Sequence, residues 1–344
     1  MIASTRAVDV VVAGGGPAGL ATALHARAAG PSVLVRDPRA GVVDKACGEG
    51  VMPAGVAHLE ALGVRPAGRE IVGIRYCAPG RSAATRFRGP PGRGVRRTEL
   101  HAALREAVRA AGIPVERARV ERVTQQPGGV LVDDLAAGYV VAADGLHSPL
   151  RRALGLDAPT RGPARYGLRR HVRLAPWTDH VEVHWAEHAE AYVTPVGEEE
   201  VGVAVLTTRR APYEEQLAAF PELLERLAGA VATSTVRGAG PLRQESRRRV
   251  AGRVLLVGDA SGYVDALTGE GISLALAQAR AAVDHLVSGD LPGYERAWRR
   301  VVRRHRVLTR ALLAVGGSPA RPLLVPAAQR LPRVFSAVVD AVGG

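Results

Sequence analysis

The stretch VDVVVAGGGPAGLATALHARAAGPSVLVRD, residues Val8 to Asp37, decides the fold. Val8 to Ala13 is a compact run rich in β-branched residues, which predicts a buried strand. It breaks at Gly14-Gly15-Gly16-Pro17-Ala18-Gly19, and good helix formers run from Leu20 to Ala29. Gly30 stands where a helix C-cap residue belongs, and Val33-Leu34-Val35 predicts a second buried strand. The turn reads Gly14-x-Gly16-x-x-Gly19, with Pro17 and Ala18 between its last two glycines. Gly14 permits the tight turn, Gly16 lets backbone approach a pyrophosphate, and Gly19 permits close packing of helix on strand. The helix N-terminus offers free N–H groups and the positive end of its dipole to phosphates. Asp37 follows Gly19 by 18 residues, near the place where an acid holds a ribose 2′-OH. On this unit alone the ligand is NAD or FAD.

Two more strand ends carry acid–glycine turns. Arg253 to Val257 is a buried-strand pattern running into Gly258-Asp259, followed by Thr268-Gly269-Glu270-Gly271-Ile272 and a helix expected from Gly271 to about Ser288. Gly258 gives clearance, and Asp259 sits at the carboxyl edge of a strand, where ligands of open α/β sheets bind. The helix end near Gly271 suits an anion. The run Tyr139-Val140-Val141-Ala142 leads to Asp144-Gly145-Leu146-His147-Ser148, which is a weaker signal because Asp-Gly is a common turn pair. Between these sites, Val181 to Trp185 and Val201 to Val205 alternate as antiparallel strands with one covered face do. They predict an inserted second sheet.

The chain has 344 residues and a formal net charge of +13, carried by 45 Arg and the single Lys45. Only 13 aromatic residues are present, too few for basic patches interleaved with stacking platforms, so no nucleic-acid partner is expected. Cys47 and Cys77 provide neither a disulfide framework nor, unaided, a structural zinc site. No stretch of 18 apolar residues and no signal-peptide pattern is present, and a cytoplasmic location is expected.

Together the three sites resemble the p-hydroxybenzoate hydroxylase-type flavoproteins, a group that includes aromatic hydroxylases and geranylgeranyl reductase-like flavoproteins. The resemblance rests on Gly14/Gly16/Gly19 with Asp37, on Asp144-Gly145-x-x-Ser148-x-x-Arg151, and on Gly258-Asp259 with Gly269-Glu270-Gly271. Arg97-Thr98-Glu99-Leu100 matches the family's Arg-x-x-Leu helix start, and Asp44 to Gly50 resembles the Cys-Gly-Glu loop of the reductase branch. It covers residue 8 to about 290.

The resemblance implies an α/β fold: a Rossmann-like FAD-binding domain with an inserted antiparallel-sheet substrate domain and C-terminal helices. The implied division gives residues 1–75, 97–160 and 251–290 to FAD binding. Residues 76–96 become substrate-side strands, 161–250 the substrate domain and 291–344 a helical tail. It also implies roles. Gly14 to Gly19 meet the FAD pyrophosphate, Asp37 the adenosine ribose, Arg97 the middle of FAD and Asp259 the ribityl chain. Gly269, Gly271 and Ile272 lie at the flavin pyrimidine edge, and Lys45, Cys47 and Gly48 approach the isoalloxazine. Asp144 serves FAD and nicotinamide handling. No second glycine fingerprint follows a strand, so NADH or NADPH is expected as a transient reductant, or a separate partner supplies electrons.

A flavin serves several chemistries, and the protein decides which. The first expectation is monooxygenation of a small aromatic or polyketide-type metabolite through a flavin C4a-hydroperoxide. The alternative is reduction of a C=C bond in an isoprenoid or lipid; a further one is a non-redox cyclase that holds FAD as a structural ligand. Halogenation is disfavoured, because the W-x-W-x-I-P segment of halogenases is absent. The reductase branch carries Y-x-W-x-F-P on its substrate sheet, whereas this chain reads Glu190-Ala191-Tyr192-Val193-Thr194-Pro195. Glu190, Tyr192 and Thr194 share one strand face by alternation. They are candidate pocket residues with His184, and Tyr192 is the candidate hydrogen-bond partner of a substrate hydroxyl. Between Tyr294 and Arg333 stand ten Arg and one acid, Glu295. Trp298, Val301, Val302, His305, Leu308, Leu312 and Leu313 follow a helical period, so this helix packs on its own domain or touches an anionic membrane.

Overall fold

A computed structural model describes residues 7–343; the two ends of the expected division, residues 1–6 and 344, lie outside them. The Val8–Ala13 strand sits inside a sheet, parallel to Val33–Arg36 on one side and Leu135–Ala142 on the other. Val254–Leu256 pairs in parallel with Leu135–Ala142, so the three acid–glycine turns leave one carboxyl edge of one sheet. The first helix, Pro17–Ala28, begins at Pro17, earlier than the helix formers indicated, because proline's missing N–H and fixed φ suit the first helical position. Its buried face (Leu20, Ala21, Ala23, Leu24) packs with Leu276, Ala279 and Val283 of the Gly271–Val287 helix in one core.

The second sheet runs in the order Val231–Ala232, Tyr166–Arg173, Glu200–Thr207, Ala189–Gly197, His180–Trp185, Gly73–Ala78, Arg81–Arg86. Two successive strands go to different sheets here. Arg69–Ile71 joins a small three-stranded sheet, and Gly73–Ala78 joins the second sheet parallel to His180–Trp185. Gly73 lets the hairpin close, since a Cβ there would lie 2.0 Å from the Thr85 carbonyl oxygen.

The two faces of this sheet are both covered. Val181, Val183, Trp185 and Tyr192 pack with Phe335, Val339 and Val342 from the C-terminal Pro332–Gly343 helix. Ala191, Val193, Val203 and Val205 pack with Tyr213, Phe220 and Leu223 on the other side. The Leu291–Gly316 helix joins both halves: Trp298 and Val302 enter the first core, while Leu308, Leu312 and Leu313 lean on the second. The apolar stripe of the Arg-rich tail is therefore spent on the chain's own core. Among the described residues no single helix is long and apolar enough to cross a membrane.

Candidate active site

The first turn is shaped by its glycines. Gly14 has φ +112°, and a Cβ on it would stand 2.4 Å from the Ala143 carbonyl oxygen. A Cβ on Gly19 would stand 1.8 Å from the Gly14 carbonyl oxygen, whereas one on Gly16 meets nothing within 4 Å. Gly16 thus faces open space at the N-terminus of a helix that has no side-chain cap and no acid in its first turn. The N–H groups of Ala18 and Gly19 remain available to an anion.

Asp37 is buried behind this turn. Its Oδ2 accepts from Gly15 N–H at 2.6 Å, and Arg39 donates to both of its oxygens. Burial works to raise its pKa, but Arg39 and the backbone donors hold it below the ordinary carboxylate value. His101, which no motif marked, completes the turn. Val43 N–H donates to its Nδ1 at 3.0 Å, which fixes the neutral tautomer, and Nε2–H donates to the Gly15 carbonyl at 2.7 Å. Burial depresses its pKa to about 4.

The other two turns are locked to each other. Asp144 Oδ2 accepts from Leu150 N–H at 3.0 Å, beside the Ser148 hydroxyl that caps the Pro149–Ala153 helix through Arg151 N–H. Arg151, fully buried, donates to the Ala260 carbonyl at 3.1 Å and to the Leu146 carbonyl at 3.2 Å. Gly258, at φ +60°, donates its N–H to Gln278 Oε1 at 2.9 Å. Burial raises the pKa of Asp259 against the pull of Lys45, Arg97 and Arg151. Lys45 is exposed, yet the protein around it and the nearby Arg39 and Arg97 charges lower its pKa. Arg97 is buried, and its Nη1 has no hydrogen-bond partner. A glycine turn with open space, an uncapped helix end and an orphaned buried guanidinium nitrogen fit the diphosphate and middle portion of FAD.

The loop carrying Lys45, Cys47 and Gly48 is held from the second sheet. Thr194 Oγ1 donates to the Gly48 carbonyl at 2.7 Å. Glu49 is buried at φ +60°; its Oε1 accepts from Arg97 N–H at 2.7 Å, and its Oε2 lies 2.6 Å from His171 Nε2. Arg169 pairs with Asp44 and donates to the Lys45 carbonyl at 2.9 Å. Burial and the Glu49 carboxylate push the Cys47 thiol up, so Sγ keeps its proton. On the facing loop, Gly269 has φ +69°, and the helix that starts with Gly271 and Ile272 has no side-chain cap. Glu270 Oε2 lies 2.9 Å from His305 Nδ1 behind that turn.

The expected pocket residues divide. The Tyr192 hydroxyl donates to the Leu267 carbonyl at 2.8 Å, a tie to the loop that leads into Gly269-Glu270-Gly271. Glu190 bridges Arg165 at 2.6 Å and Arg321 at 2.7 Å. His184 lies on the opposite sheet face from Tyr192, because it pairs with Ala191 while Tyr192 pairs with Val183. His184 thus does not share the face of the other three, since two strands cannot be phased against each other before their register is known, yet of the four it is His184 that borders the cleft described next. Beyond the Trp185–Ala189 turn opens a cleft of about 1580 Å³. Trp185, Val264, Leu313 and Val325 supply apolar wall, and Arg165 and Arg321 supply charge.

The FAD binding domain family matches residues 7–288. A menaquinone reductase of Mycolicibacterium smegmatis is 31% identical over 334 residues, covering 88% of this chain and 81% of the relative. Digeranylgeranylglycerophospholipid reductase 1 of Methanothermobacter thermautotrophicus is 28% identical over 305 residues, covering 79% and 75%. Among solved structures, a flavoprotein/dehydrogenase from Cytophaga hutchinsonii aligns with TM-score 0.82 at 17% identity, covering 98% of this chain and 92% of that one. The flavin-dependent halogenase CmlS aligns with TM-score 0.78 at 20% identity, covering 92% and 66%. Both structural likenesses show the fold alone.

Proposed function

This chain belongs to the p-hydroxybenzoate hydroxylase-type FAD-binding family and is an FAD-dependent oxidoreductase, and on that premise we propose that it reduces carbon–carbon double bonds of an isoprenoid chain. The observation that carries the reading is the 31% identity to a menaquinone reductase over most of both chains. It favours the second of the three expectations, reduction, over hydroxylation and over a non-redox cyclase. The cleft supports it: about 1580 Å³ exceeds the roughly 300–1,000 Å³ of an ordinary small-molecule pocket, as a long substrate requires. Where Glu190 and Thr194 lack aromatics, the cleft wall carries Trp185, backed by a small aromatic group. Tyr76 stacks edge-on to Trp185 with centroids 5.5 Å apart and leans on Phe335 at 4.9 Å.

When bound, FAD supplies the electron pair for the reduction. The protein's own residues position and exclude. Gly14 to Gly19, Arg97 and Asp259 hold the cofactor's polar length. Thr194, Glu49 and Arg169 fix the loop that brings Lys45 and Cys47 to the ring, and Cys47 holds a proton on Sγ. Tyr192 fixes the facing loop through Leu267. The reductant is NADH, NADPH or a separate electron donor.

The test is chemical. The holoprotein, reduced anaerobically by dithionite, is mixed with menaquinone or a polyprenyl lipid and the products are weighed by mass spectrometry. A gain of one hydrogen pair per bond supports the proposal. An unchanged lipid, together with oxygen-dependent hydroxylation of an aromatic substrate, refutes it.

A further inference from the structure

Cys77, Glu182 and His184 form a cluster to which the proposed reduction assigns no chemical step. The Gly73–Ala78 and His180–Trp185 strands run parallel, and their register sets Cys77 directly beside His184. The two-residue period of a strand puts Glu182 on the same face as His184. All three side chains are buried, at 8%, 2% and 9% exposure. One ligand atom from each (Sγ, a carboxylate oxygen, an imidazole nitrogen) lies within 4.8 Å of the other two.

We propose that this triad binds a divalent transition-metal ion, zinc by its donor set, on the face of the second sheet turned away from Tyr192. Sulfur, nitrogen and oxygen donors on a tetrahedral zinc stand about 3.3–3.6 Å apart, given metal–ligand bonds of roughly 2.0–2.3 Å. Rotamer adjustments of about an ångström close the triad to that geometry. Glu182 Oε2 lies 3.1 Å from His184 Nε2, while its Oε1 faces the Arg75 guanidinium at 3.8 Å. Oε2 and Nε2 are hydrogen-bonded to each other and exchange that bond for bonds to the metal, while Oε1 keeps its charge partner, the support that ligating carboxylates need. Ala191 and Val193 pair with His184 and Glu182 and form a dry backing. Cys77 and His184 also border the large cleft, which leaves a fourth position open to water or to a small ligand. Three protein donors with an open position distinguish this arrangement from a closed four-ligand structural site.

Cobalt(II) titration of the FAD-loaded protein, followed in the near-ultraviolet and visible, reads the site directly. The expected result is one cobalt per chain with a thiolate-to-metal charge-transfer band that added zinc abolishes. Cys77→Ser removes the band, His184→Gln weakens binding by more than about tenfold, and Cys47→Ser leaves it intact. Absence of the band in the unsubstituted protein overturns the proposal without any variant, and so does a band that survives Cys77→Ser. The readout is independent of lipid turnover, so failure of the proposed reduction leaves it decisive.

Discussion

His171 Nε2 lies 2.6 Å from Glu49 Oε2, so a residue of the second sheet's Tyr166–Arg173 strand holds the loop that carries Lys45, Cys47 and Gly48. Glu49 adopts φ +60° and gives its other carboxylate oxygen to Arg97 N–H at 2.7 Å. Glu49→Ala leaves that N–H, His171 and Arg169 around an unfilled buried space. Stability is expected to fall by about 1–3 kcal/mol, the usual penalty for orphaned buried polar groups. FAD retention is expected to fall with it, because Arg97 begins the helix proposed to hold the cofactor. Urea unfolding and flavin content after dialysis check both.

The glycines of the first turn separate a folding role from a binding role. Gly19→Ala drives a Cβ to 1.8 Å from backbone and is expected to abolish soluble protein or reduce its unfolding midpoint severely. Gly16→Ala adds a methyl that meets no protein atom within 4 Å. The apoprotein of Gly16→Ala is therefore expected to unfold like the parent, while its FAD affinity falls more than about tenfold, equivalent to over ~1.4 kcal/mol. Equal FAD affinity in this variant would remove the pyrophosphate from Gly16.

Much of this half was legible because local chemistry dictates it. A strand-edge turn that must approach a phosphate admits little besides glycine, so Gly14, Gly16 and Gly19 announce themselves in order and spacing. The second sheet was legible only in its alternation. Whether His184 faces Tyr192 depends on pairing between strands, which a one-residue shift reverses. His101 and Gln278 were invisible for a related reason: each meets its glycine turn through a contact 86 or 20 residues away, with no local motif. Arg151 stood within a motif, yet its five-way tie to Asp157, Asp259, Ala260, Leu146 and Gln244 is a product of folding.

His101 gives a pH dependence with a definite sign. Its folded pKa of about 4 lies below the free value of 6.5, so between them the unfolded chain binds a proton that the folded one does not. Stability contributed by this residue is complete above the free value and is lost as pH falls toward the folded one. Between roughly pH 7.5 and pH 5 the loss is about 2 kcal/mol. His101→Gln is expected to be less stable at neutral pH but to show a shallower acid slope, measured by urea unfolding across that window.

Tyr192→Phe distinguishes a structural tie from substrate chemistry. The hydroxyl donates to the Leu267 carbonyl at 2.8 Å, in a buried setting. Its removal is expected to reduce stability by about 1 kcal/mol. Turnover should change only a few-fold, through the flavin-edge loop. A loss of turnover of about a hundredfold with unchanged stability would instead assign the hydroxyl to the substrate.

The C-terminal segment makes a surface prediction that follows from an isoprenoid substrate. Leu323 at 61%, Leu331 at 55% and Val334 at 57% are exposed large apolar residues, and Arg330 and Arg333 lie among them. Leu323 also lines the cleft. Apolar side chains alone bind bilayers weakly and basic ones alone bind only at low salt, so the combination is the relevant signal. The holoprotein is expected to co-sediment with anionic phospholipid vesicles and to be released by high salt. Leu323→Ser with Leu331→Ser should reduce the bound fraction several-fold while leaving the flavin spectrum unchanged, because neither residue reaches the cofactor loops. Binding that ignores both salt and this double substitution would place the lipid contact elsewhere, and the cleft mouth would then have to be filled from solution.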